Sequence, residues 1–209
     1  MFSLVMLWIL VLLGGYLLGA LPFGFIVAKF FCGVDPMESG SGNVGATNVA
    51  RLCGAGWGLA VLLLDVLKGF VPVLITASVT DSWVMVSLMA LACICGHIFS
   101  VFLKFHGGKG VATAIGVFMA LAFWPLLCAA ALCVIAIVLS SFISVGSLLL
   151  FASLPIFLLI CWKAQFLPLA LIVMLLIYWR HKDNIKRLIQ GEEKAWRSSS
   201  NRETSEKKS

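Results

Sequence analysis

The residues able to do chemistry in this chain lie in three short polar stretches between long apolar ones. The first, Gly40–Arg51, reads GSGNVGATNVAR. It combines glycines with small hydroxyl and amide side chains (Ser41, Asn43, Thr47, Asn48) and ends in a cation. Glycine allows tight turns and lets backbone N–H groups approach an anion, and the guanidinium of Arg51 suits a phosphate oxygen pair. The second, Lys104–Gly110, holds Gly107 and Gly108 followed by Lys109. The third, Arg180–Arg187, carries His181 and Asn184 at a helical i,i+3 spacing. Donors and cations outnumber carboxylates, so the composition favours a phosphorylated, anionic substrate.

Several familiar motifs are excluded by the residues that flank them. Gly40, Gly42 and Gly45 match the G-x-G-x-x-G dinucleotide fingerprint, but that fingerprint belongs between a strand and a helix of a βαβ unit, and apolar membrane-length runs stand there instead. What remains is a possible backbone cradle for phosphate. A Walker P-loop around Gly108-Lys109 would need glycine at Leu103 and a hydroxyl residue at Gly110. An H-x-x-x-x-D acyltransferase pair would need aspartate at Phe102, Val111 or Lys186. The seven cysteines form no C-x-x-C pair and are read as small core or lipid-facing side chains, with no metal and no cofactor expected.

The elements that must position these residues are membrane helices. The chain of 209 residues is 62% hydrophobic and only 11% charged, where soluble domains are about half apolar and about a quarter charged. The expected class is therefore all-α, a polytopic membrane bundle. Residues 1–190 form the membrane domain, and 191–209 a polar tail, expected to be disordered on the cytoplasmic side. Apolar runs predict seven spans, at about Phe2–Gly24, Gly54–Ala77, Trp83–Leu103, Val111–Phe123, Pro125–Leu139, Val145–Cys161 and Phe166–Trp179. Trp124-Pro125 divides the long uncharged stretch, leaving a short fourth segment; merging Val111–Leu139 into one span and losing another would give five spans. The positive-inside rule puts the N-terminus outside and all three polar stretches, with the tail, at the cytoplasmic face. The tail could also meet anionic membrane lipids. Nucleic-acid binding does not fit, because the basic residues adjoin apolar spans. Asp65 and Lys68 lie inside the second span, three apart, and are expected to pair as a brace. His97 is expected to be a buried packing histidine, and Gly14, Gly15 and Gly19 to allow close helix packing.

Taken in order, GSGNVGATNVAR at 40–51, GHIFSVFLKFHGGKG at 96–110 and RHKDNIKRL at 180–188 resemble the bacterial acyl-phosphate-dependent glycerol-3-phosphate acyltransferases. LLLDVLKG at 62–69 adds a weaker match. The resemblance covers nearly the whole chain. It implies an inner-membrane enzyme that moves a fatty acyl group from acyl-phosphate to the 1-hydroxyl of glycerol 3-phosphate, giving lysophosphatidic acid and phosphate. By motif, Ser41, Arg51, Lys109, His181 and Asn184 would be catalytic. Gly42, Asn43, Gly45, Thr47, Asn48, Lys104, Gly107, Gly108, Ser144 and Ser147 would bind substrate. Ser100 departs from the family, which more often has proline there, and puts the helix break before the second stretch in question. Acyl-phosphate is an activated anhydride, so the enzyme need only hold two anions and stabilise charge. No acyl-enzyme is expected, and no His–Asp relay is evident beside Ser41. The alternative is a transporter or channel for a phosphorylated anion. A membrane scaffold is a third reading, but it would leave the polar stretches unexplained.

Overall fold

A computed structural model describes residues 2–196. The described residues are helical and fall into two compact units, 1–123 and 124–209. Among the described residues, five helices are long and apolar enough to cross a membrane, or six if one bent pair counts as a single span. Their outward surfaces carry Leu, Ile, Val and Phe, as lipid contact requires.

The first unit opens with α1 (Phe2–Ala20). The apolar run predicted one span to Gly24, but Pro22 lacks an N–H and disfavours helix at Leu21, so α1 stops there. The chain resumes as α2 (Phe23–Ile26), which widens into a π-helical turn, Val27–Phe31. Then come α3 (Ala46–Cys53), α4 (Ala55–Val79), α5 (Trp83–Ile98), a 3₁₀ turn at Val101–Leu103 and α6 (Val111–Leu121). With 11 residues, α6 is about 16 Å long and too short to cross the hydrocarbon. That is why the fourth predicted segment is not among the span-length helices.

Helices α1 and α5 pack backbone to backbone. A side chain at Gly19 would overlap the Cys93 backbone, and one at Gly96 would overlap Tyr16 and Ala20. Gly15 likewise makes room for Met89, whereas among the described residues nothing lies within 4 Å of a Cβ at Gly14. The ends of these helices cap one another. Tyr16 donates to the Phe99 carbonyl at 2.7 Å, and Ser100 Oγ donates to the Ala20 carbonyl at 2.6 Å. Helix α5 thus breaks before the second polar stretch without the family's proline. Ser100 instead satisfies a carbonyl freed by the end of α1.

Cys32 and Cys53 are joined in a disulfide, with Cα atoms 5.9 Å apart. This corrects the reading of all the cysteines as packing residues. The bond links the end of the π-turn to the end of α3 and encloses the first polar stretch. Closing a loop of 21 residues stabilises by about 3 kcal/mol on chain-entropy grounds. Dithiothreitol is expected to lower the apparent unfolding temperature of the detergent-purified protein, whereas a Cys32→Ser/Cys53→Ser variant should not respond. Equal midpoints with and without reductant would mean that the bond does not hold this loop.

The second unit contains α7 from Trp124 onward (the helix spans Phe123–Ser140), α8 (Ile143–Ile160), a 3₁₀ turn at Ala164–Phe166, α9 (Leu167–Arg180) and α10 (Lys182–Gln190). Phe151, Leu154, Leu158, Val173 and Ile177 form its interior, each fully buried. The segment from Ala164 to Arg180 and α10 meet at an angle of 57°. Gly191 ends α10 in a left-handed conformation, φ 71°, and residues 192–196 turn back toward α8. The remainder, 197–209, lies outside the described residues.

Candidate active site

In the first unit the stretch predicted as a glycine loop is half loop, half helix. Gly40 and Gly42 adopt φ of 67° and 65° to make the turn, and Gly45 leads into α3. Thr47 and Arg51 therefore lie four apart on α3, one above the other on one helix face. The half-buried Arg51 sits in the last turn, where its charge also complements the helix dipole. Ser41 is exposed on the turn that leads into this helix.

Asn48 holds the loop together. Only 2% exposed, it accepts Ser41 N–H through Oδ1 at 2.8 Å. Its Nδ2 lies within 3.1 Å of the Pro36, Ser39 and Asn43 carbonyls. Asn48 was expected to bind substrate; its amide is committed to loop backbone, so it shapes the site. Asn43 does similar local work, accepting Gly45 N–H at 2.8 Å.

The glycine N–H groups expected to line a backbone cradle have protein partners. Gly42 N–H donates to Ser39 O at 3.1 Å, Gly107 N–H to Ile98 O at 3.0 Å and Gly108 N–H to His97 O at 3.1 Å. With Gly45 N–H on Asn43, all four glycine donors face protein. The glycines give the turns their shape, and Ser41, Asn43, Thr47, Arg51 and Lys109 carry side-chain donors in the same stretches. Lys109 is half-buried directly after the Gly107–Gly108 turn, whereas Lys104 is exposed, with φ 51°.

In the second unit a carboxylate organises the cluster. Glu193 Oε1 accepts from Ser144 Oγ at 2.9 Å and Asn184 Nδ2 at 2.6 Å, and Oε2 accepts from Arg187 Nε at 2.8 Å. Burial works to raise the Glu193 carboxyl, but the hydrogen bonds from Asn184, Arg187 and Ser144 outweigh it and hold the group below its ordinary range. Trp196 N–H donates to Ser141 O at 3.1 Å and completes the docked segment. His181 is buried at the bend between α9 and α10, with Nδ1 2.8 Å from Ile177 O. A carbonyl can only accept, so Nδ1 carries a proton. Ser147 Oγ donates within its own helix to Ile143 O at 2.9 Å. Ser144 and Ser147, predicted as substrate contacts, thus spend their hydroxyl protons inside the protein and could meet a ligand only through oxygen lone pairs.

Glu193 escaped sequence reading because it sits in a charged, serine-rich tail. The available signal was Gly191, a helix-ending glycine that reverses the chain just before it. The described residues hold no group of three or more His, Cys, Asp or Glu able to bind a metal ion.

Residues 9–191 match the family model described as glycerol-3-phosphate acyltransferase. A glycerol-3-phosphate acyltransferase of Desulfovibrio desulfuricans is 53% identical over 196 residues, covering 94% of this chain and 86% of the relative. One from Lawsonia intracellularis is 52% identical over 194 residues, covering 93% and 96%. Among solved structures, the integral membrane glycerol 3-phosphate acyltransferase PlsY (YgiH) in its glycerol 3-phosphate form aligns with a TM-score of 0.86 at 38% identity, covering 90% of this chain and 94% of that one. Its lysophosphatidic acid form gives a TM-score of 0.84. Helical membrane architecture, anion-suited polar stretches and agreement over nearly the full length lead to one conclusion: this chain belongs to the glycerol-3-phosphate acyltransferase family.

Proposed function

We propose that this membrane enzyme acylates the 1-hydroxyl of glycerol 3-phosphate with an acyl-phosphate as donor, releasing lysophosphatidic acid and inorganic phosphate. Acylation of glycerol 3-phosphate follows from family membership; the donor and the residue roles are our assignment. The observation that carries it is the match over 90% of the chain to a solved relative holding glycerol 3-phosphate. The side-chain donors of the first unit agree with it. We place the reaction at the cytoplasmic face of a bacterial inner membrane, where the positive-inside rule puts the basic stretches.

The chemistry asks for little beyond placement and charge. The 1-hydroxyl oxygen attacks the acyl carbonyl, the C–O bond to phosphate breaks, and a substrate phosphate oxygen takes the hydroxyl proton. Arg51 and Lys109 hold phosphate charge, and Ser41 and Thr47 add hydroxyl donors. By their motif we assign orienting hydrogen bonds to His181 and Asn184. No side chain is acylated. Trapping an acyl group on Ser41 would overturn that statement.

Purified protein given long-chain acyl-phosphate, acyl-coenzyme A or acyl carrier protein separately should release lysophosphatidic acid only with the first. Product from the thioesters alone would defeat the donor assignment. Lys109→Ala is expected to raise KM for a phosphorylated substrate by about tenfold or more, since a charge-assisted hydrogen bond contributes roughly 1.5–3 kcal/mol. Unchanged kinetics would remove Lys109 from the site. The transporter alternative needs flux of labelled glycerol 3-phosphate into liposomes without lipid product, and nothing observed favours it.

A further inference from the structure

Beneath the Gly107–Lys109 turn lies a buried polar cluster that the reaction above does not use. Lys68 Nζ on α4 is 2.8 Å from Asp65 Oδ1 and 2.8 Å from the Leu21 carbonyl, at the break between α1 and α2. Asp65 Oδ1 is also 3.7 Å from His97 Nδ1 on α5, close enough for electrostatic contact though long for a hydrogen bond. All three side chains are buried. His97 then meets the turn twice. Its carbonyl accepts Gly108 N–H at 3.1 Å. Its imidazole fills the space a side chain at position 108 would need, so a Cβ there would overlap Nε2.

Charges inside a membrane bundle are costly. A brace between α4 and the α1 break is complete with Asp65, Lys68 and Leu21. It has no need of His97, yet Asp65 faces the imidazole as well. The contacts run in one line from Leu21 through Lys68, Asp65 and His97 to Gly108, the residue before Lys109. We infer that His97 is a positioning residue for the Gly107–Lys109 turn, its ring plane set by the Asp65–Lys68 pair. The inference rests on the proposed phosphate role of that turn. It adds three residues that act through Lys109's backbone and touch no substrate.

The test is a double-mutant cycle on the full chain in detergent, with glycerol 3-phosphate and a long-chain acyl-phosphate, reading kcat and KM separately. Apparent unfolding temperature is recorded for every variant. Gly108→Ala is expected to lower kcat/KM about 100-fold, because a displaced turn misplaces its lysine. Adding His97→Ala removes the obstructing ring and should restore at least about tenfold of that loss, a coupling expected of residues in contact. His97→Ala alone should raise KM for a phosphorylated substrate more than it lowers kcat. His97→Asn, which keeps a polar group toward Asp65, should recover part of it. Replacing the ion pair together, Asp65→Leu/Lys68→Met, avoids leaving one buried charge and should repeat the KM rise of His97→Ala.

If the double variant is no better than Gly108→Ala, or if folded His97→Ala has parental kinetics, the inference is wrong. Should His97→Ala fail to fold, His97→Asn with Gly108→Ala gives the same comparison. Lys109→Ala separates the two levels. Parental KM in that variant defeats the phosphate reading of the turn, while the coupling between positions 97 and 108 still decides whether the ring sets it.

Discussion

Replacing Arg51 by lysine is expected to lower kcat/KM by about 100-fold in a protein that remains folded, and by alanine up to about 1000-fold. Lysine is the sharper variant. It keeps a positive charge in the last turn of α3, so the helix loses none of its dipole complement. What it loses is the planar fork, two parallel N–H donors that match two oxygens of one phosphate. Arg51 stands one turn beyond Thr47 on the same face, and the disulfide anchors the end of that helix at Cys53. An ammonium on a flexible stem would reach the same region with one oxygen contact and more entropy to lose. Initial rates against each substrate, with the unfolding temperature as control, decide the matter. Parental kcat/KM in Arg51→Lys would mean that Arg51 contributes charge to the surface and not geometry to the site.

Glu193→Ala is the second large effect, on stability first and activity through it. The substitution removes the common acceptor of Ser144, Asn184 and Arg187. Hydrogen bonds to an ionised group contribute roughly 1.5–3 kcal/mol each, but Arg187 is partly exposed and can turn to water, so a net loss of about 3 kcal/mol is expected. A lower apparent unfolding temperature and faster proteolysis after Gln190 would show it, since residues 192–196 would leave α8. Parental values for both would sink the clamp.

The clamp also has a pH signature. The docked segment holds the Glu193 carboxyl below its ordinary value of 4.5, so the undocked segment binds a proton more readily. Docking is therefore at full strength above that ordinary value and weakens as pH falls through the lowered one. Proteolysis of the parent should accelerate in acid across that window. Glu193→Gln, already neutral, should cleave fast at neutral pH and show no further acid transition.

Much of this protein was legible before folding because membrane solvent imposes a simple rule. Backbone in hydrocarbon must be helical, so runs such as Gly54–Ala77 and Trp83–Leu103 announce α4 and α5 within a few residues. The Asp65–Lys68 pairing was legible for the same reason, because two charges at helical spacing inside an apolar span have few other partners. The short fourth segment was visible as a stretch too long for one span and too short for two. The break at Pro22 was missed because hydropathy averages over a single proline.

The polar stretches divide differently. Their residue types named an anion and, taken in order, the family. Whether a given amide or hydroxyl faces that anion depends on atoms far along the chain. Asn48 turns inward because the Pro36 and Ser39 carbonyls lie within reach. Gly107 and Gly108 give their N–H groups to the end of α5, and Ser144 gives its proton to a glutamate 49 residues away. Composition and local spacing thus determined the helical membrane class and the anionic character of the ligand, since those follow from solvent and charge, while the reaction came from the resemblance of the ordered motifs. Tertiary structure decided which polar groups build the site and which are left to act in it, since hydrogen bonds are short and directional and are settled only when distant segments meet.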